Sequence, residues 1–192
     1  MNKILKITGV LFFSAVLAFA AEDPVALIKK NNESLQALLK KAKNTSSETE
    51  QIKTLINDAF DFEMLSQKSL PTKTWNEMDA AARKNFVTEF RRMVRNSSAK
   101  KLEMYRSDST HYEKPKIKGD EARVVTYNWY KGKETVLEYR LSLENGQWKA
   151  WDLIIDDLST ARNYKEQFSK ILETKTVPEL INIIKENADK SE

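Results

Sequence analysis

The chain of 192 residues contains no cysteine, only four glycines and four prolines, and a single histidine, His111. Each shortage excludes a class of chemistry. Without cysteine there are no disulfides, no thiol nucleophile and no attachment point for a lipoprotein anchor, so the fold must hold by packing alone. Four glycines supply neither a phosphate-binding P-loop nor a G-x-G-x-x-G turn, which argues against nucleotide binding. A lone histidine, in a segment of strand character and without an HExxH or carboxylate partner at ligand spacing, argues against a metal centre and makes pH switching weak. No nucleophile elbow is present, and nothing in the sequence demands catalysis.

The first twenty residues differ in kind from the rest. Lys3 and Lys6 precede an apolar run from Ile7 to Ala18, and Ala18-Phe19-Ala20 places small residues where a signal peptidase reads them. The run is too short to span a bilayer, so we expect a signal peptide over 1–20, cleaved after Ala20, and one exported domain over 21–192. Losing Lys3 and Lys6 takes the basic count from 32 to 30 against 28 acidic residues, and the net charge from +4 to +2. Near-neutrality with interleaved charges, together with export, argues against a nucleic-acid partner.

From Asp23 to about Lys43, apolar residues at Val25, Ile28, Leu35, Leu38 and Leu39 recur at helical spacing. Ser47 and Glu50 match a capping box for a second helix running toward Phe60. Pro71 breaks the chain, and the segment Asn76–Asp79 caps a helix bearing Phe86, Phe90, Met93 and Val94, which the pattern carries toward Tyr105. Near Asp108 the period changes from helical to alternating. Three or four strands follow, with hairpin signals at Lys118-Gly119-Asp120, Lys131-Gly132-Lys133 and Asn145-Gly146. In the strand from Thr135 to Leu143, Leu137, Tyr139, Leu141 and Leu143 share one face. Helical pattern returns from Leu158 to Leu172, and again from Pro178 behind a Thr176/Glu179 capping box. Helices before and after a meander predict an α+β domain, with helices packed on one face of a twisted antiparallel sheet of about four strands.

Asp152, Asp156 and Asp157 form the nearest approach to an acidic constellation. Paired carboxylates there suit acid–base work, but Asp156 or Asp157 as the cap of the next helix is the simpler reading. Aromatic residues spread over every element predict one shared interior. Patterning alone leaves open whether that interior closes as an ordinary core or stays open as an apolar pocket.

The order of these pieces resembles the MlaC family of periplasmic phospholipid-binding proteins, also called toluene tolerance proteins. The likeness runs through Asp61-Phe62, Leu70, Trp75, Phe86, Phe90 and Tyr105. It continues more specifically through Asn145-Gly146-Gln147-Trp148, Trp151-Asp152-Leu153, Leu158-Ser159 and the run from Asn163 to Phe168. Two positions depart from the family pattern: Asp157, where relatives commonly carry glycine, and Lys165, where arginine is frequent.

The resemblance implies a carrier, not an enzyme, that holds the acyl chains of a phospholipid in an apolar pocket between sheet and helices and needs no cofactor. Its implied partners are an outer-membrane lipoprotein complex and the MCE-domain subunit of an inner-membrane ABC transporter. Shuttling between them would maintain outer-membrane lipid asymmetry. The expected lining is Phe90, Met93, Tyr105, Tyr139, Leu141, Trp151, Leu153 and Leu158. The alternatives are an enzyme or small-molecule binder on the similar ketosteroid-isomerase-like cone, an adaptor with a filled core, and a hopanoid-type lipid carrier. The enzyme reading calls for Asp152 or His111 at the bottom of a cavity.

Overall fold

The computed structural model describes residues 23–40, 45–100 and 105–190. The expected leader over 1–20 lies outside them, as do the far end of the first expected helix and part of the stretch leading to Tyr105. Among the described residues there are seven α-helices and one six-stranded antiparallel sheet, so the class is as expected but the sheet is larger.

Helix α1 (Pro24–Leu39) starts where the Asp23 carboxylate accepts the Val25 N–H at 3.0 Å, with Pro24 in the first turn, where a missing donor costs nothing. Helix α2 (Ser46–Ala59) opens on a capping box two residues earlier than expected, built by Thr45 and Glu48. The free Glu50 instead holds Lys53 and Arg95, and both cations lower its pKa. Two short helices, α3 (Phe62–Lys68) and α4 (Thr72–Glu77), flank Pro71. Asp79 then accepts the Ala82 N–H at 2.7 Å and starts α5 (Ala80–Lys100).

The strands follow: β1 (Ser109–Tyr112), β2 (Lys116–Lys118), β3 (Glu121–Tyr130), β4 (Lys133–Glu144), β5 (Gln147–Ile155) and β6 (Leu158–Ser159). The sheet order is β1-β3-β4-β5-β6, and β2 also pairs with β3. Helices α6 (Thr160–Leu172) and α7 (Val177–Asp189) close the chain, the latter on the expected Thr176/Glu179 box.

Strict alternation on β3 buries Ala122, Val124, Thr126 and Asn128 and leaves the residues between them on the outer face. Opposite them on β4 lie Leu141, Tyr139, Leu137 and Thr135, in that order. The β4–β5 register shifts between Arg140 and Leu141, so that Trp151 has no partner on β4. This bulge changes the parity of β5: Trp148 and Ala150 share the inner face with Leu153 and Ile155, while Asp152 pairs with Arg140.

Buried apolar residues form two clusters. One is helical, built on Phe62, Leu65, Phe86, Phe90, Phe168 and Leu180. The other joins Ile28 of α1 to Val124, Leu141, Trp148 and Ala150 of the sheet. Phe60 packs against both, and the Asp61 N–H donates to the Ala150 carbonyl at 2.8 Å beside it.

The exit from β5 corrects one sequence expectation. Asp156 and Asp157 do not cap α6; both have positive φ, 45° and 68°, and form the two-residue turn from β5 into β6. The Asp156 carboxylate accepts the Val136 N–H at 3.1 Å. The cap is Ser159, whose hydroxyl accepts the Arg162 N–H at 3.1 Å and donates to Asp152 at 2.7 Å. At the position where the resembled family carries glycine, the backbone does take the left-handed conformation, and aspartate is among the residues that tolerate it. Replacing Asp157 with glycine removes that cost without removing a side-chain hydrogen bond. We expect Asp157→Gly to leave the fold intact and raise unfolding stability by about 0.5 kcal/mol in urea titration. A loss of stability would show that the carboxylate has a role that the turn geometry does not account for.

Candidate binding cavity

A cavity of about 120 Å³ lies at the seam between the two apolar clusters and opens partly to solvent. Helix α1 contributes Ile28, Asn31, Asn32 and Leu35 to its wall, and α2 contributes Leu55 and Ala59. The helical side is completed by Phe60, Phe62, Leu65 and Val94, with Ser98 and Tyr105 at the end of the long helix and beyond it. Tyr139 of β4, Ala150 and Leu153 of β5, and Thr160 of α6 form the sheet side. No charged side chain lines it among the described residues.

The seam exists because each cluster satisfies itself. Phe90 is fully buried, with the Tyr164 ring edge-on at 4.8 Å, Phe168 at 5.4 Å and Phe86 at 5.6 Å. These rings hold α5 to α6. On the other side, α1 is tied down by amide side chains. Asn32 donates to the Tyr112 hydroxyl at 2.8 Å and to Thr110 Oγ1 at 3.2 Å. Gln36 donates to the Tyr105 carbonyl at 2.6 Å and accepts the Ser107 N–H at 2.9 Å. Two partners each make these amides inexpensive to bury.

Of the residues expected to form the lining, Tyr105, Tyr139 and Leu153 do line this cavity. Phe90 and Met93 sit in the helical core and Leu141 in the sheet cluster. Trp151, at the bulge, is half-buried, with Lys68 Nζ 5.7 Å and the Arg140 guanidinium 5.8 Å from its ring centre. Leu158 on β6 is 68% exposed. The wall built by α1, α2 and α3 did not stand out in the sequence, because its apolar residues read as ordinary helical stripes. A usable signal was the pair Asn31-Asn32 with Gln36, polar residues lying next to the stripe of α1.

Burial pushes the phenols of Tyr139 and Tyr105 up from their ordinary values, so both remain protonated; a hydrogen bond with Ser98 partly offsets the effect at Tyr105. Asp152 is fully buried but away from the cavity wall. It accepts Ser159 Oγ and the Ala161 N–H at 2.7 and 2.9 Å, which gives it a structural part in starting α6. His111 is exposed on β1, opposite Tyr127 on β3. Neither of the groups that the enzyme reading calls for therefore lies at the cavity floor. Among the described residues no cluster of histidine and acidic side chains is placed to hold a metal ion, and no helix is long and apolar enough to cross a membrane.

Comparison with known proteins agrees with this geometry. The family model described as MlaC protein matches residues 28–186. No curated protein matches the chain. Among solved structures, a phospholipid-binding protein from Ralstonia solanacearum, determined in complex with a phospholipid, superposes with a TM-score of 0.72 at 18% sequence identity. The match covers 88% of this chain and 99% of that one. At that identity the likeness is one of fold.

Proposed function

This chain belongs to the MlaC family, and from that membership we propose that it is a periplasmic carrier that binds one phospholipid by its acyl chains at the seam between sheet and helices. The single observation that carries this reading is the position of the cavity. It is apolar, uncharged and walled by both clusters, at the place where a two-layer fold can admit a chain without exposing either core. The phospholipid-bound neighbour of the same fold supports the same ligand class.

At about 120 Å³ the cavity is too small for two long acyl chains, so loading requires the seam to widen. Each CH₂ transferred from water gains about 0.8 kcal/mol, so two long chains supply well over 10 kcal/mol toward separating the walls and ordering the ligand. The described lining residues that titrate are the two phenols, which burial keeps protonated, so release depends on a change in wall spacing that a partner imposes. We take the partners to be an outer-membrane lipoprotein complex and an inner-membrane transporter subunit, with maintenance of lipid asymmetry as the outcome.

The test is to secrete the protein in a Gram-negative host, purify it without detergent and measure bound lipid by native and denaturing mass spectrometry. We expect about one phospholipid per chain. Protein that arrives empty and stays empty after incubation with phospholipid vesicles would rule the carrier out.

A further inference from the structure

Among the described residues six polar side chains line the cavity, and four of them are already committed to the protein. Asn32 bonds Tyr112 and Thr110, Thr160 Oγ1 donates to the Leu153 carbonyl at 2.8 Å, and Ser98 and Tyr105 bond each other. The Asn31 amide and the Tyr139 hydroxyl have no hydrogen-bond partner among the described residues. A hydroxyl of an apolar cavity wall that has no protein partner marks where a bound ligand can supply the acceptor.

The two differ in how firmly they are held. Asn31 stands on α1, which is fastened to the sheet through side chains. Tyr139 stands on β4, paired on both sides, opposite Val124 of β3 and Leu153 of β5, so the direction of its ring is set by the sheet. The acceptor it can serve follows from its surroundings. A phosphate would bring a charge into a cavity with no lysine or arginine among its described lining residues, at a large desolvation cost. A neutral carbonyl needs only one donor. Burial keeps the phenol protonated, so the donor is present throughout the physiological pH range.

We propose that the Tyr139 hydroxyl donates to an ester carbonyl of the bound lipid and so makes the protein selective for ester-linked over ether-linked chains. This rests on the carrier reading above and adds to it the part of the lipid that is read inside the cavity: the neutral linkage, with the phosphate outside. An ether oxygen is a poorer and differently placed acceptor than a carbonyl, so a diether lipid of equal chain length would leave Tyr139 unsatisfied.

The experiment offers vesicles of equal parts dioleoyl phosphatidylglycerol and its diether counterpart, and reads the ratio of the two lipids on the protein by native mass spectrometry. The wild-type protein is expected to take the diester in preference by about threefold to tenfold, the worth of one net hydrogen bond. Tyr139→Phe is expected to take the two equally. Equal uptake by the wild type, or a preference that survives in Tyr139→Phe, would overturn the assignment and leave the carrier standing. A wild-type protein that loads neither lipid would overturn both. The wild-type ratio is informative even if the variant folds poorly.

Discussion

Phe90→Ala is expected to lower the unfolding free energy by about 3–5 kcal/mol while leaving the folded fraction able to load lipid. Phe90 is fully buried, and its ring meets three others, Phe86, Tyr164 and Phe168, at centroid distances between 4.8 and 5.6 Å. Truncation removes a ring's worth of burial and leaves a void between α5 and α6 that the paired helices cannot fully close. Urea titration should show an earlier midpoint with an unchanged slope, since the surface exposed on unfolding changes little. Lipid per chain is then measured at a temperature where the variant remains folded. If occupancy falls with the fold intact, Phe90 faces the ligand in the widened state. A stability loss under about 1 kcal/mol would contradict the packing described here.

That distinction is the one the sequence could not draw. Phe86 and Phe90 lie four residues apart on one helical stripe, and the same spacing serves a closed core and a pocket wall equally well. What separates them is the partner across the gap. Phe90 meets α6, whereas Val94, one turn on, meets the cavity. Contacts between elements distant in the chain are not encoded in the period of either element.

Features governed by local rules were legible. Lys131-Gly132 and Asn145-Gly146 both take positive φ in tight hairpin turns, as their composition requires, and the box at Thr176 and Glu179 starts α7. The strands that escaped notice were short or lacked such a signal. β2 spans three residues and β6 two, and the turn leading into β6 is made by Asp156-Asp157 without glycine. The second capping box fell two residues from its expected place because Ser47/Glu50 and Thr45/Glu48 satisfy the same spacing. Glu50 was free to pair with Lys53 and with Arg95 of α5, a tertiary reason invisible in the local pattern. In the cavity, Tyr105, Tyr139 and Leu153 could be named from the faces of their strands and the end of a helix. Asn31 and Asn32 were passed over, since two adjacent asparagines on a helix read as solvated unless their place beside the apolar stripe is weighed.

Ala59→Trp is expected to abolish lipid carriage without unfolding the protein. Ala59 ends α2, is half-buried and lines the cavity beside Leu55 and Phe60. An indole placed there enters a void of about 120 Å³ in the empty protein, so it fills space already present and displaces little of either cluster. The expected change in unfolding free energy is within about 1 kcal/mol, in contrast to overpacking a filled core, which costs about 1–3 kcal/mol. For the lipid the consequence is different in kind. Acyl chains must now displace a side chain covalently fixed in their path and expose its apolar surface. We expect bound phospholipid per chain to fall by at least about tenfold, which corresponds to a loss of about 1.4 kcal/mol or more in binding free energy. The measurement is lipid occupancy after secretion and detergent-free purification, beside a urea titration of the same preparation. Full occupancy in a stably folded Ala59→Trp protein would place the acyl chains elsewhere and remove this cavity as the site. An empty, stable protein would tie carriage to the seam itself, because α1, α2 and the sheet would all be present and only the space between them would be gone.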